Sequence, residues 1–353
     1  MVKGGFFLFC YIPPWSTAET IDEHVSSFKK YSNLPITIIN FADGFPKNIS
    51  LIKPEGFIFH YSAFASMKKD FYDYVLDNKN AVKIAFFQDE MHNWDKRTSL
   101  INNLEIDIVY TCFEENEHYI YKKFSSIKEV HTNITGYVDQ NLITKARKYF
   151  KEDNSRTIDI GYRGRQIDYF FGSGAQEKHS IAVDFENHVI KKNLNLNVDL
   201  KSKEHDRLYG SQWYEFLADS KGTLGVESGT SIVDLDGSIE KQTNQFISEN
   251  PEAGFNEVHK KILERYENNI YYRSISPRIF ESAAFKICMI LFEGKYSGIL
   301  QPGVHYIELK KDFSNINQVL SDFSRAEVRK KITENAYKAV SYTHLTLPTI
   351  YSV

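Results

Sequence analysis

Ser276-Pro-Arg-Ile-Phe-Glu-Ser-Ala-Ala-Phe-Lys-Ile-Cys-Met-Ile290 reads as a short helix running directly into a buried strand. Ser276 suits a helix N-cap and Pro277 the first helical position, where the missing N–H would be unsatisfied anyway. Ile279, Phe280, Ala283 and Ala284 recur at helical spacing and form one apolar stripe. Cys288 to Phe292 is an unbroken apolar run, the pattern of a strand covered on both faces of a parallel sheet.

The same rhythm starts at the N-terminus. Phe6 to Ile12 is a strand-like run, Ile21, Val25 and Phe28 follow at helical spacing, and Ile36 to Phe41 is the next strand. Phe57 to His60, a helix carrying Met67, Phe71, Tyr74 and Val75, then Val82 to Phe87 and Ile106 to Cys112 continue it. The polar stretch Lys148 to Arg156 breaks the pattern and reads as a linker. Beyond it, Thr157 to Tyr162 reads as a strand, and about Phe255 to Tyr266 as the most regular helix, with Phe255, Val258, Ile262 and Leu263 on one face. The expected fold is α/β, with an N-terminal Rossmann-like domain over 1–150 and a second over 156–339. A chain of 353 residues exceeds the usual limit of one core, which agrees with two domains.

Val340-Ser-Tyr-Thr-His-Leu-Thr-Leu-Pro-Thr349 resembles the translation of a transposon-end sequencing adapter. Natural sequence is expected to end near Ala339, so residues 340–353 are left out of fold reasoning as a non-native tail.

The segment 276–290 resembles the nucleotide-sugar-binding helix of GT-B glycosyltransferases, whose pattern reads Pro-Arg-x-Phe-Glu-Ala-Ala followed by a small residue and a strand. Glu293-Gly294-x-Tyr296-Ser297-Gly298 and His305-Tyr306-Ile307 resemble the loop and strand that follow it. The resemblance departs at Lys286, where glycine is common, and at Arg273, where many retaining members have a glutamate. It implies two Rossmann-like domains facing across a cleft, a nucleotide diphosphate sugar as donor, and a ribose-binding role for Glu281. A helix N-terminus aims N–H groups at a diphosphate, and Arg278 adds a charge clamp.

Three further stretches suit the same chemistry. Arg163, Arg165 and Lys178 follow a glycine-punctuated strand and can neutralise a leaving diphosphate. Ser228, Gly229 and Thr230 lie in a small-residue loop fit for hydroxyl and amide contacts with donor. Gln88-Asp89-Glu90-Met91-His92 emerges at a strand's carboxyl end, where Asp89, Glu90 or His92 can deprotonate an acceptor hydroxyl. His60, at another strand end, is a lesser candidate. Asp234-Leu-Asp236 matches an Asp-x-Asp metal pattern, but Gly237 makes a turn the better reading, so no metal and no resident cofactor are expected.

A charge of −3, from 43 basic and 46 acidic residues interspersed, argues against nucleic-acid partners. The longest apolar run near the start, Phe6 to Ile12, is too short to span a bilayer and lacks a signal cleavage site. Cys10, Cys112 and Cys288 sit in apolar runs and read as reduced thiols. The expected protein is thus a cytoplasmic glycosyltransferase with a sugar or lipid-linked glycan acceptor, leaving room for peripheral membrane contact. Surface polysaccharide or glycoconjugate synthesis is the pathway that the family likeness implies. The alternatives are a nucleotide-sugar epimerase of the same fold and a noncatalytic sugar- or nucleotide-binding module.

Overall fold

The apolar runs of the N-terminal half become strands of one parallel sheet. The computed structural model describes residues 3–15, 19–46, 48–64 and 67–343. β1 (Lys3–Cys10), β2 (Ile36–Asn40), β3 (Lys53–Phe59), β4 (Val82–Phe86), β5 (Ile108–Thr111) and β6 (Glu129–Thr132) lie in the order β2-β1-β3-β4-β5-β6. Every neighbouring pair is parallel. Helices α1 (Glu19–Tyr31), α2 (Lys69–Asp77), α3 (Trp94–Leu104) and α4 (Tyr119–Lys122) intervene. Phe7, Leu8, Phe9 and Cys10 are buried in succession, which requires cover on both faces of the sheet. Gly5 lets β1 close on the chain entering β2, since a Cβ there would stand 2.2 Å from the Pro35 carbonyl oxygen.

The chain continues through α5 (Gln140–Lys148), β7 (Ile158–Arg163), α6 (Ser173–Lys191), β8 (Val198–Lys201), α7 (Ser211–Asp219), β9 (Ser220–Gly225) and β10 (Ser228–Thr230). After α8 (Ser238–Glu249) come α9 (Phe255–Val258), β11 (Tyr272–Ser274), α10 (Pro277–Ala284), β12 (Cys288–Phe292), β13 (Ile307–Leu309), α11 (Ile316–Ser324) and α12 (Ala326–Thr343). A second sheet has the order β13-β12-β9-β7-β8, and β10 and β11 form a two-stranded sheet. β12 shows how the second core is divided. Met289 and Leu291 point into a cluster with Leu142 of α5, Leu217 of α7 and Phe280 of α10. Cys288, Ile290 and Phe292 point into another with Phe185 of α6 and Phe323 of α11. Alternation along one strand thus buries both faces.

The chain divides into two units, and not at the polar stretch 148–156. Unit 1 comprises Met1–Asn133, Ile232–Glu249 and Asn268–Tyr272; unit 2 comprises Ile134–Ser231, Asn250–Glu267 and Arg273–Val353. The polar stretch lies inside unit 2, where Arg156 is buried and donates to the Ser220 and Phe285 carbonyls at 2.7 and 3.1 Å. The two later segments are tied into unit 1 by Asp234 N–H to the Met91 carbonyl at 2.8 Å and by Asn269, which pairs with both backbone groups of Val233.

The helix expected over 255–266 is irregular. Four α-helical residues pass into a π-turn at His259–Leu263 and a 3-10 turn at Glu264–Tyr266. Val258 and Leu263 are both fully buried and five residues apart, a spacing that the wider π-turn places on one side. At the other end, α12 passes Ala339 to Thr343 with Val340 buried in the core of unit 2. Residues 344–353 of the expected non-native tail lie outside the described residues.

Candidate functional site

In an open parallel sheet, ligands collect where strand order reverses, beyond the carboxyl ends of the strands. In unit 2 that point lies between β7 and β9, because β8 and β12 lie on opposite sides of this central pair. A pocket enclosing roughly 510 Å³, open solvent included, is lined there. Its walls are Tyr162 and Arg163 ending β7, Thr223 to Val226 ending β9, and Ser276, Arg278, Ile279 and Ser282 of α10. Lys178 of α6 and Trp213 of α7 complete the rim.

α10 starts as the sequence indicates, with Ser276 at the N-cap and Pro277 next. The Ser276 side chain makes no capping bond, however. Ile279 N–H bonds back to the Ser276 carbonyl at 3.0 Å and Pro277 has no N–H, so what this end offers the pocket, lined by Ser276, Arg278 and Ile279, is chiefly its dipole, with no side-chain cap to offset it. The N-terminus of α6 differs. Glu267 accepts from Ser173 N–H at 2.7 Å, and Ser231 accepts from Gly174 N–H at 2.9 Å. A side-chain carboxylate already answers that helix, so the glycine loop before α6 closes on its own chain.

Of the residues singled out for donor binding, Arg163, Lys178 and Arg278 line the pocket. Arg163 does so with its side chain committed: its guanidinium grips Asp199 through two bonds of 3.0 and 2.7 Å and lies 4.2 Å from the Phe216 ring centre. It braces the wall instead of presenting a loose cation. Arg278 is exposed and donates to the Arg163 carbonyl. Arg165 is exposed and outside the lining. Ser228, Gly229 and Thr230 form β10 and are also outside it. Beside them, Glu227 accepts from Tyr296 N–H at 2.7 Å, and burial raises its carboxyl pKa. A Cβ on Gly294 would approach that carboxyl to 2.8 Å, which accounts for glycine in the loop after β12. Arg273 spans Glu177 with bonds of 3.2 and 3.3 Å, so it too is held structurally. Glu281 is outside the lining and is tied to it through Trp213, whose indole N–H it accepts at 3.1 Å. Sequence reasoning missed Trp213: its partner is 68 positions away, and α7 read alone is an ordinary amphipathic helix.

In unit 1 the loop after β4 is not the open carboxylate cluster that its sequence suggests. Glu90 is fully buried, accepting from Cys112 N–H at 2.7 Å and from the Thr111 and Tyr121 hydroxyls at 2.5 Å each. Burial raises its pKa against the pull of Arg97 and these bonds. It is therefore a structural anchor and not an accessible base. Asp89 is exposed with φ 53°, and half-buried His92 contacts Asn93 at 3.1 Å. Asp234 accepts from Gly237 and Glu240 N–H at 2.9 and 2.8 Å, and Asp236 from Ser238 N–H at 2.9 Å. The Asp-x-Asp pair thus forms the turn into α8, and no cluster of three metal-ligating side chains occurs among the described residues.

His60 proves more organised than a lone strand-end histidine. It stands beyond β3 at unit 1's own order reversal, where Ser62 N–H reaches its Nδ1 at 3.2 Å and Tyr11 N–H reaches Ser62 Oγ at 3.0 Å. Its Nε2 meets His24 Nδ1 at 2.9 Å, so the backbone bond to Nδ1 makes His60 the donor to His24. Burial lowers both pKa values from 6.5, His24 to about 4 and His60 to about 2, with the His24 charge adding to the second. The folded chain thus resists a proton that the unfolded chain takes up. Stability is full above about pH 7 and declines as pH falls through 6.5 towards 4. At pH 5 each histidine is expected to remove about 2 kcal/mol relative to pH 8. Urea denaturation at the two pH values measures this; a His60→Asn variant should show a smaller difference, and equal wild-type stabilities would refute the neutral pair.

Two parallel sheets of Rossmann type, with a pocket at the order reversal of the second, define the class: the fold is GT-B. Solved structures of the same fold include an alpha-glucosyltransferase in complex with UDP and a 13-mer DNA containing a HMU base. It shows a TM-score of 0.56 and 12% identity, over 98% of this chain and 96% of that one. The alpha-glucosyltransferase in complex with UDP-glucose and DNA containing an abasic site gives 0.53 and 12%, over 96% and 94%. T4 phage BGT in complex with its UDP-glucose substrate gives 0.50 and 11%, over 97% and 96%. No family model and no curated protein sequence matches the chain.

These structures correct one expectation. The charge balance pointed away from nucleic acid, yet chains of this fold and size are found on DNA. A net charge of −3 averages over the whole surface, whereas a polyanion answers only to the local field where it lies. No helix among the described residues is long and apolar enough to cross a membrane.

Proposed function

We propose that the protein is a glycosyltransferase that takes a nucleotide diphosphate sugar in the unit 2 pocket and passes the sugar to a hydroxyl. The observation that carries this reading is the uncapped N-terminus of α10 at the sheet's order reversal, flanked by Arg278, Lys178 and the Trp213–Glu281 pair. Helix dipole and cations would hold the diphosphate and stabilise it as it leaves. Glu281 would take the ribose, as the resemblance of 276–290 implies. Because side chains supply the positive charge, the reading includes no resident cofactor or metal, and turnover is expected to survive a chelator. Asp89 and His92 remain this proposal's candidates for deprotonating the acceptor hydroxyl.

Thermal melting of the protein with UDP, GDP, ADP and their sugars tests the donor site. A ligand at a hundred times its Kd adds about 2.7 kcal/mol, roughly 5–10 °C for a unit of this size. One nucleotide should produce the shift, and Glu281→Ala and Arg278→Ala should abolish it. No shift from folded protein would sink the reading. Stabilisation without transfer or hydrolysis would favour a binding module, and interconversion of two donor sugars an epimerase. For the acceptor, DNA bearing hydroxylated bases belongs in the assay beside glycans and lipid-linked glycans, since alpha-glucosyltransferases of this fold were solved on DNA.

A further inference from the structure

Trp213, in the pocket lining, touches two charged side chains of α10: Arg278, which also lines the pocket, and Glu281 just outside it. Arg278 and Glu281 are one turn apart on α10 and share a face. The Trp213 indole N–H donates to Glu281 Oε1 at 3.1 Å, and the Arg278 guanidinium lies 5.8 Å from the centre of the same ring. Behind the indole, the Phe216 ring stacks at 5.7 Å between centres, and behind Phe216 comes the Arg163 guanidinium that Asp199 holds. A packed column from β8 to α10 therefore fixes the indole, and the indole fixes one carboxylate oxygen of Glu281. A carboxylate on an exposed helix face samples several rotamers, and ordering it on binding costs about 0.5–1.5 kcal/mol. The bond from Trp213 settles that orientation before the nucleotide arrives.

We infer that Trp213 is a positioning residue for nucleotide recognition: its N–H aims Glu281 at the ribose hydroxyls, while its ring steadies Arg278 beside the diphosphate. This rests on the donor-site reading above and adds to it the residue that makes the pocket prefer a ribonucleotide to a dideoxyribonucleotide or bare pyrophosphate. Trp213→Phe separates the two contributions, because it keeps a ring for Arg278 and removes the N–H. Trp213→His offers a smaller ring with an N–H restored.

Calorimetric titration of the full chain with UDP, GDP and ADP, their 2′,3′-dideoxy forms and inorganic pyrophosphate tests the inference. Wild type is expected to prefer one ribonucleotide over its dideoxy form by about tenfold or more. In Trp213→Phe that preference should fall by about tenfold, with pyrophosphate affinity held within about twofold and the melting temperature unchanged. Trp213→His should recover part of the preference, and Trp213→Ala should weaken nucleotide and pyrophosphate alike. If Trp213→Phe keeps the full preference while Glu281→Ala loses it, the role of Trp213 is refuted and the donor site stands. If folded wild type binds none of the three nucleotides, both fall. Should Trp213→Phe melt early, the His variant decides alone: dideoxy discrimination no better than in Trp213→Ala overturns the inference.

Discussion

Replacing Arg97 by methionine is expected to destabilise unit 1 by about 3–5 kcal/mol, because it leaves a buried carboxylate without its counter-charge. Arg97 is itself buried on α3, and its guanidinium donates to three carbonyls of the loop after β4: Gln88 at 3.0 Å, Asp89 at 2.7 Å, and His92. It is also the main electrostatic force holding down the pKa of Glu90, which burial raises. Methionine fills much of the volume and removes both functions. At roughly 2–4 °C per kcal/mol, the melting temperature should fall by roughly 10 °C. The double variant Arg97→Met with Glu90→Leu should be less destabilised than the two single effects summed, since the second change removes the charge that the first strands. A single variant that melts within a degree or two of wild type would show that the pair is not the keystone of this loop.

The second large effect concerns turnover. Arg278→Ala is expected to lower kcat/KM for the donor by about a hundred- to a thousandfold, the range seen when one group facing developing negative charge is deleted. Arg165→Ala, whose side chain lies outside the pocket lining, should change it by less than about threefold. Arg163→Ala should behave differently from both. It frees Asp199 and strips a cation from Phe216, so its first symptom should be a lower melting temperature. Steady-state kinetics beside melting curves separates the three arginines, which the sequence had grouped as one diphosphate clamp. Equal kinetic effects at Arg165 and Arg278 would mean that the pocket is not where the donor sits.

What the sequence made legible follows from how local each signal is. β1, β3, β4 and β5 were readable because their buried stretches are largely apolar, edge strand β2 because Ile36, Ile38 and Ile39 make it β-branched, and α10 because its cap, proline and stripe lie within nine residues. β6 was not, since Glu129-Val-His-Thr132 is a mostly exposed edge. β9, Ser220-Lys-Gly-Thr-Leu-Gly225, hides at the centre of its sheet because small residues are needed there: a Cβ on Gly222 would meet the Phe323 ring at 2.4 Å. α10 begins where its cap and proline place it, and Arg278 and Lys178 line the pocket. The commitments of Glu90 and Arg163 were not legible, because the groups that occupy them are brought in by folding from 21 and 36 positions away. The Asp-Gly turn signal at 236–237 was local, and a turn is what stands there; that the turn leads into α8 was not read.

Unit 1 is built from three separate stretches of chain, the last ending at Tyr272. A ribosome making this protein will have released the whole six-stranded sheet, and much of unit 2, before the final piece of unit 1 exists. Until then the sheet must wait without Tyr272, whose hydroxyl accepts from Glu90 N–H at 3.0 Å and whose ring packs 4.8 Å from Phe113. The order of synthesis is therefore not the order of completion. A nascent chain halted after residue 231 should leave the Glu90 loop open to protease, and the same loop should become protected only once residue 272 has emerged from the exit tunnel.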